Sequence, residues 1–282
     1  MKSKTNRMYQ KHWERYHRAV CSVNFYGKSS SRILGVTGFR VGDKIVTDDQ
    51  IYNLTDPSEV RIRFYGDDGY HVSREISFSL EEFRELIPEK SEFENLGLAY
   101  FTLEPKYLEG STSFELCPNC HTPIGKEVFT ISYQYDQDSL ALKSALISSH
   151  YVSERKLSYI QFDGTVRPGT SGSPLVEYES GKVIGIVANK ELQIVKSYRE
   201  ILKTIDKNLE ILETVKDKWY IDEVDPIQVL IANQYQVKHL SKEIFANFAI
   251  KAGYALDVNH LREHLENFAE MDFDHDNERE ND

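Results

Sequence analysis

The stretch that most constrains this fold is Gln161-Phe162-Asp163-Gly164-Thr165-Val166-Arg167-Pro168-Gly169-Thr170-Ser171-Gly172-Ser173-Pro174-Leu175-Val176, followed by Gly181-Lys182-Val183-Ile184-Gly185-Ile186-Val187. A Gly-x-Ser-Gly-x-Pro turn stands between two apolar runs. Glycine lets the backbone take positive φ and approach a neighbour closely. A turn of this composition can lift Ser171 out of a sheet and aim backbone N–H groups at one point. Those are the parts of a nucleophile beside a cradle for a developing oxyanion.

On these residues the chain resembles the trypsin-like (chymotrypsin-fold) serine peptidases, closest to their HtrA-like branch. The resemblance implies a mainly β protein, a double β-barrel with added helices. It puts Ser171 in the nucleophile's place and the N–H groups of Gly169 and Ser171 in the oxyanion hole. Upstream, Gly35 to Thr47 reads as a hairpin turning at Gly42-Asp43. It resembles the family's paired strands before the catalytic histidine. The family continues Thr-Asn-Ala-His-Val, whereas this chain continues Thr47-Asp48-Asp49-Gln50-Ile51, so the histidine position is Gln50. Leu96-Gly97-Leu98-Ala99 resembles the strand that carries the orienting aspartate, and that position is Gly97.

Glutamine has no titratable group and cannot take the serine's proton. Losing the base typically costs about 10⁶ in turnover. The expectation is a catalytically inactive pseudoprotease that acts as a protein-binding or scaffold module. The alternative is an atypical serine endopeptidase using Ser171 with a relocated or partner-supplied base. None of the nine histidines follows the Thr47 turn. Trypsin-fold proteins with extra helices resemble accessory components of bacterial defence systems, including CRISPR-associated ones.

Elsewhere, Val60–Tyr65 and Tyr70–Ile76 read as a second hairpin, and Ser79 with Glu82 as a capping box. After Val187, apolar residues recur at spacings of three and four through Ile194, Tyr198, Ile201, Ile205, Leu209 and Leu212, the pattern of an amphipathic helix. Asp225-Pro226 interrupts the pattern, a second helix follows, and Ser241 is a candidate N-cap for a third. Gly253 to Val258 resembles the family's last barrel strand. The domains expected are an N-terminal arm over 1–15, the double barrel over 16–187 plus 251–268, a helical insertion over 188–250, and an acidic tail over 269–282. The insertion, through Ile194, Tyr198, Ile201 and Ile205, is the expected surface for a protein partner.

A net charge of −11 argues against a nucleic-acid surface over the whole molecule. No apolar run is long enough for a membrane helix. The basic N-terminus lacks an apolar segment behind it, so a cytoplasmic location is expected. Three cysteines offer no disulfide framework. Cys117, Cys120 and His121 have the spacing of three zinc ligands but lack a fourth, so a turn without a metal, and no cofactor, is the expectation.

Overall fold

The computed structural model describes residues 2–27, 30, 32–53, 57–87, 97–117, 122–188, 193–221, 224–247 and 252–261. The chain divides into two compact units, one of Met1–Asn189 with Ile250–Asp282 and one of Lys190–Ala249.

The larger unit begins with helix α1 (Lys2–Tyr16) and then builds β1 (Val20–Tyr26), β2 (Arg32–Val41), β3 (Lys44–Thr47), β4 (Glu59–Tyr65), β5 (Val72–Ser79) and β6 (Ala99–Thr102). These strands form an antiparallel sheet in the order β5-β4-β1-β2-β3-β6. Period-two alternation sends Val60, Ile62 and Phe64 of β4 inward with Cys21, Val23, Phe25 and Phe101. Each large apolar side chain so buried contributes about 1.5–3 kcal/mol. Helix α2 (Leu80–Glu85) closes over this core through Phe83, and its start carries the capping box of Ser79 and Glu82.

The second half of the unit is a closed barrel of β7 (Glu127–Gln134), β8 (Ser139–Val152), β9 (Ser158–Phe162), β10 (Pro174–Glu177), β11 (Val183–Val187) and β12 (Gly253–Asp257). The order around it is β10-β11-β12-β9-β8-β7. The double barrel of the resemblance is therefore one closed barrel and one six-stranded sheet whose edges, β5 and β6, do not hydrogen-bond to each other. A shared core joins them, with Phe39, Val46 and Tyr65 on one side and Phe129, Tyr133 and Ile186 on the other. Helix α1 belongs to that core: Tyr16 stacks on Phe114 and His12 on Phe129. At the polar margin, Arg32 and Arg63 each reach Asp138 at 3.0 Å.

The smaller unit is a pair of helices, α3 (Gln193–Val215) and α4 (Pro226–Asn247). Ile205 and Leu209 of α3 are buried with Ile231 of α4. Asp225 is the N-cap of α4: its Oδ1 accepts from Ile227 N–H at 2.8 Å and its Oδ2 from Asp217 N–H at 2.8 Å. Pro226 takes the first helical position, where a missing N–H is harmless. The expected third helix does not start at Ser241, which lies inside a continuous α4. A good N-cap residue has no capping role where the preceding turn is already helical and its N–H groups are satisfied. After β12 a helix opens at Val258, and the acidic tail lies outside the described residues.

Candidate active site

The serine turn links β9 to β10 and is fastened to the first sheet by one residue of β2. Thr37 N–H donates to Ser171 O at 2.8 Å, and Thr37 Oγ1 donates to Gly169 O at 2.6 Å. That hydroxyl also accepts from Tyr133 N–H at 2.9 Å, and Thr37 O accepts from Thr47 Oγ1 at 2.7 Å. Behind the turn, Gly172 N–H donates to Val187 O at 2.7 Å and Val187 N–H to Ser173 O at 2.8 Å. The turn is thus held from both halves of the unit. Among the described residues, the N–H groups of Gly169 and Ser171 have no acceptor.

Gly172 shows how tightly the parts meet. Its φ is +83°, and a Cβ there would collide with Thr37 O and lie 2.7 Å from Asp48 N and 2.8 Å from Thr47 Oγ1. The residue after Ser171 therefore abuts the end of β3, where the histidine position begins. Ser171 is 7% exposed.

Asp48, buried at that corner, accepts Gln50 N–H on Oδ1 at 2.9 Å and starts the short 3₁₀ helix Asp49–Asn53. Gln50 is half-buried. Gly97, the residue expected at the aspartate position, has φ +84° and donates its N–H to Asp49 Oδ2 at 3.0 Å. The carboxylate of Asp49, the residue before Gln50, thus stands against Gly97. Burial raises the Asp49 carboxyl pKa above its ordinary range, opposed by hydrogen bonds from the Gly97 and Asp49 N–H groups. Burial also raises the Tyr159 phenol pKa, and the Asp49 charge adds to that rise. Sequence reading passed over Asp49 and Thr37. An acidic residue adjacent to the missing histidine was the available signal for the first, and nothing local marks the second.

The described histidines are engaged elsewhere. His12 Nε2 meets Tyr178 O at 2.7 Å, His17 Nδ1 meets Trp13 O at 2.7 Å, and His150 Nε2 meets Thr122 O at 2.6 Å. His260 Nε2 accepts from Ser158 N–H at 3.0 Å, His71 pairs with Asp68, and His239 faces Glu243 at 3.6 Å. A cavity of about 220 Å³ lined by Arg18, Tyr65, Arg74 and Ser111 includes no residue of the serine turn.

Cys117 is disulfide-bonded, which removes its sulfur from metal binding. Cys120 and His121 lie outside the described residues, among which no group of three or more His, Cys, Asp or Glu is placed to hold a metal. Among the expected partner-binding residues, Ile205 is a correction. It is buried against Leu209 and Ile231 because the apolar stripe that marks the helix is spent on the neighbouring helix. Tyr198 is half-buried and Ile201 is exposed, while the side chain of Ile194 lies outside the described residues. No described helix is long and apolar enough to cross a membrane.

The family described as trypsin-like peptidase domain matches residues 36–186, which run from β2 through the serine turn to β11. The HtrA-type protease AlgW, solved with a tripeptide, is 16% identical with a TM-score of 0.47, covering 64% of this chain and 53% of its own. A serine endoprotease from Yersinia pestis is 19% identical with a TM-score of 0.46, covering 64% of this chain and 57% of its own. The chain thus spans little more than half the length of these two structures. No curated protein matches the sequence.

Proposed function

The chain belongs to the trypsin-like peptidase domain family, and from that premise we propose that it is a non-hydrolysing member, a protein-binding module that keeps the serine turn without a working triad. The observation that carries the reading is Gln50 at the base position. A serine hydroxyl without an adjacent base is a poor nucleophile. Supporting it, each described histidine has a ring nitrogen engaged with a group other than Ser171. What the turn keeps is a pair of N–H donors suited to a peptide carbonyl or carboxylate. The reading extends to a cytoplasmic accessory role of the kind that trypsin-fold proteins with added helices fill in bacterial defence systems.

The test is covalent labelling of the purified protein with a fluorophosphonate probe. Labelling no greater than that of Ser171→Ala is expected. Labelling of Ser171 at the rate of an ordinary serine hydrolase overturns the reading.

One observation favours the second reading, an atypical endopeptidase. Asp49 is a half-buried carboxylate next to Gln50, and a carboxyl with a raised pKa is a better proton acceptor than an ordinary one. That reading expects labelling of Ser171 that disappears in Asp49→Asn.

A further inference from the structure

The interior of the closed barrel changes character along β7. Val128 of β7 packs with Ile147, Ile160, Leu175, Ile184 and Ala255, drawn from the other five strands, so this face of β7 looks into the barrel. At the next alternate positions the same face carries Thr130, Ser132 and Gln134, all polar and all buried. Lys143 of β8 stands directly opposite Thr130 and so shares the face. Its Nζ donates to Gln134 Oε1 at 2.8 Å and to Thr165 O at 3.4 Å. Gln134 is oriented for this contact. Its Nε2 donates to Ser132 O at 3.1 Å, Ser132 Oγ at 3.0 Å and Tyr133 O at 3.2 Å, which turns the amide oxygen to the ammonium.

The polar end of the barrel adjoins the serine turn. Tyr135 N–H, next to Gln134, donates to Pro168 O at 3.2 Å. Arg167 N–H donates to Thr170 Oγ1 at 3.3 Å and Thr170 N–H to Arg167 O at 3.0 Å, immediately before Ser171. Thr165, whose carbonyl takes the lysine, thus opens the segment that carries Gly169 and Ser171.

Charge at this mouth does not balance. Lys143 is half-buried, both of its acceptors are neutral, and among the described residues no carboxylate forms an ion pair with it. A second cation, Arg167, is exposed at the rim and faces Asp136 at 3.8 Å, so two positive charges share one carboxylate. Burial lowers the Lys143 pKa, Arg167 lowers it further and Asp136 opposes both. The local excess stands against a net charge of −11 for the whole chain. An ammonium has three protons, and two of these have acceptors. One unmatched positive charge and one free proton suit a singly charged carboxylate better than a phosphate dianion.

We propose that the mouth of the barrel binds a carboxylate of a peptide, with Lys143 as its counter-charge and Arg167 at its rim. The proposal rests on the reading of the chain as a peptide-binding module and adds the chemistry of what it selects. The carboxylate can come from an acidic side chain or from a chain terminus, and the test separates the two.

The test is a chemical-shift titration of the intact ¹⁵N-labelled chain with three peptides from about 0.05 to about 5 mM. Acetyl-alanyl-alanyl-glutamate amide carries a side-chain carboxylate alone, acetyl-trialanine with a free terminus carries a terminal one alone, and acetyl-alanyl-alanyl-glutamine amide carries neither. At least one acidic peptide should bind about tenfold or more tightly than the glutamine peptide, and the tighter of the two names the source. Lys143→Met should abolish the preference while keeping the parent's dispersed spectrum. Equal binding of all three peptides, binding of none, or a preference that survives Lys143→Met overturns the proposal. The comparison of glutamate with glutamine is made on the parent chain and does not depend on how the variant folds. Fluorophosphonate labelling of Ser171 would overturn the non-hydrolysing reading and leave the carboxylate site standing, whereas loss of the acidic preference would do the reverse.

Discussion

Two glycines of the site separate the effect of backbone conformation from that of space. Gly97 and Gly172 both have φ near +84°. A methyl group at 97 meets nothing closer than Ala188 Cβ at 3.7 Å, so Gly97→Ala should cost about 1–2 kcal/mol for the left-handed backbone alone. At 172 the same methyl meets the backbone of Thr37 and Asp48, which cannot give way without moving β2 and β3. Gly172→Ala should therefore cost about 3 kcal/mol or more, read from the midpoint shift in urea unfolding. Asp49 gives a pH prediction. Its folded pKa is raised, so the native state binds the proton more tightly than the unfolded chain, and stability falls as pH rises past the ordinary aspartate range. Asp49→Asn keeps an acceptor for Gly97 N–H without the charge. It should be more stable than the parent at neutral pH, with the difference vanishing in acid, measured as ΔTm across a pH series. At Gln50, restoring the base by Gln50→His should raise fluorophosphonate labelling of Ser171 by about 10²-fold or more.

Among the elements, β2 and α4 carry the arguments. Thr37 of β2 satisfies Gly169 O and Tyr133 N–H with one buried hydroxyl. Thr37→Val leaves both buried groups unpaired and should cost about 2–4 kcal/mol, while Thr37→Ser should recover most of that, as measured by denaturant unfolding. On α4 the cap and the interior serine behave oppositely. Asp225→Ala removes acceptors for two N–H groups and should destabilise the helix pair by about 1–2 kcal/mol. Ser241→Ala, in mid-helix, should change stability by no more than about 0.5 kcal/mol and in the favourable direction. Far-UV circular dichroism melts of the two variants distinguish a cap from an interior position directly.

For the molecule as a whole, the helix pair is a detour between two strands that are neighbours. β11 and β12 pair antiparallel, with Val187 opposite Ala255, so the chain leaves and re-enters the barrel at adjacent points. Replacing 190–249 by a short Gly-Ser linker should leave the barrel folded, checked by retained near-UV circular dichroism and a single cooperative melt. How much of this was legible beforehand follows from the range of each interaction. Local chemistry is written in neighbouring residues: the Gly-Ser-Gly turn, the Ser79–Glu82 capping box, the hairpin at Gly42-Asp43 and the three-and-four spacing of α3 all depend on residues within a few positions of one another. Gln50 and Gly97 were equally visible as departures from the resembled motif, because a motif shows its own substitutions. What spacing could not reveal was which partner each group meets. The stripe containing Ile205 announces a helix with an apolar side, but only its packing on Ile231 assigns that side to α4. The bond from Gly97 N–H to Asp49 spans 48 residues, and Thr37 reaches Gly169 across 132. The sequence alone determined the turn, the strands and the placing of Asp49 next to Gln50; the tertiary fold alone decided that Asp49 meets Gly97 N–H and that Ile205 packs on Ile231, because both depend on contacts between segments whose separation along the chain carries no record of their meeting in space.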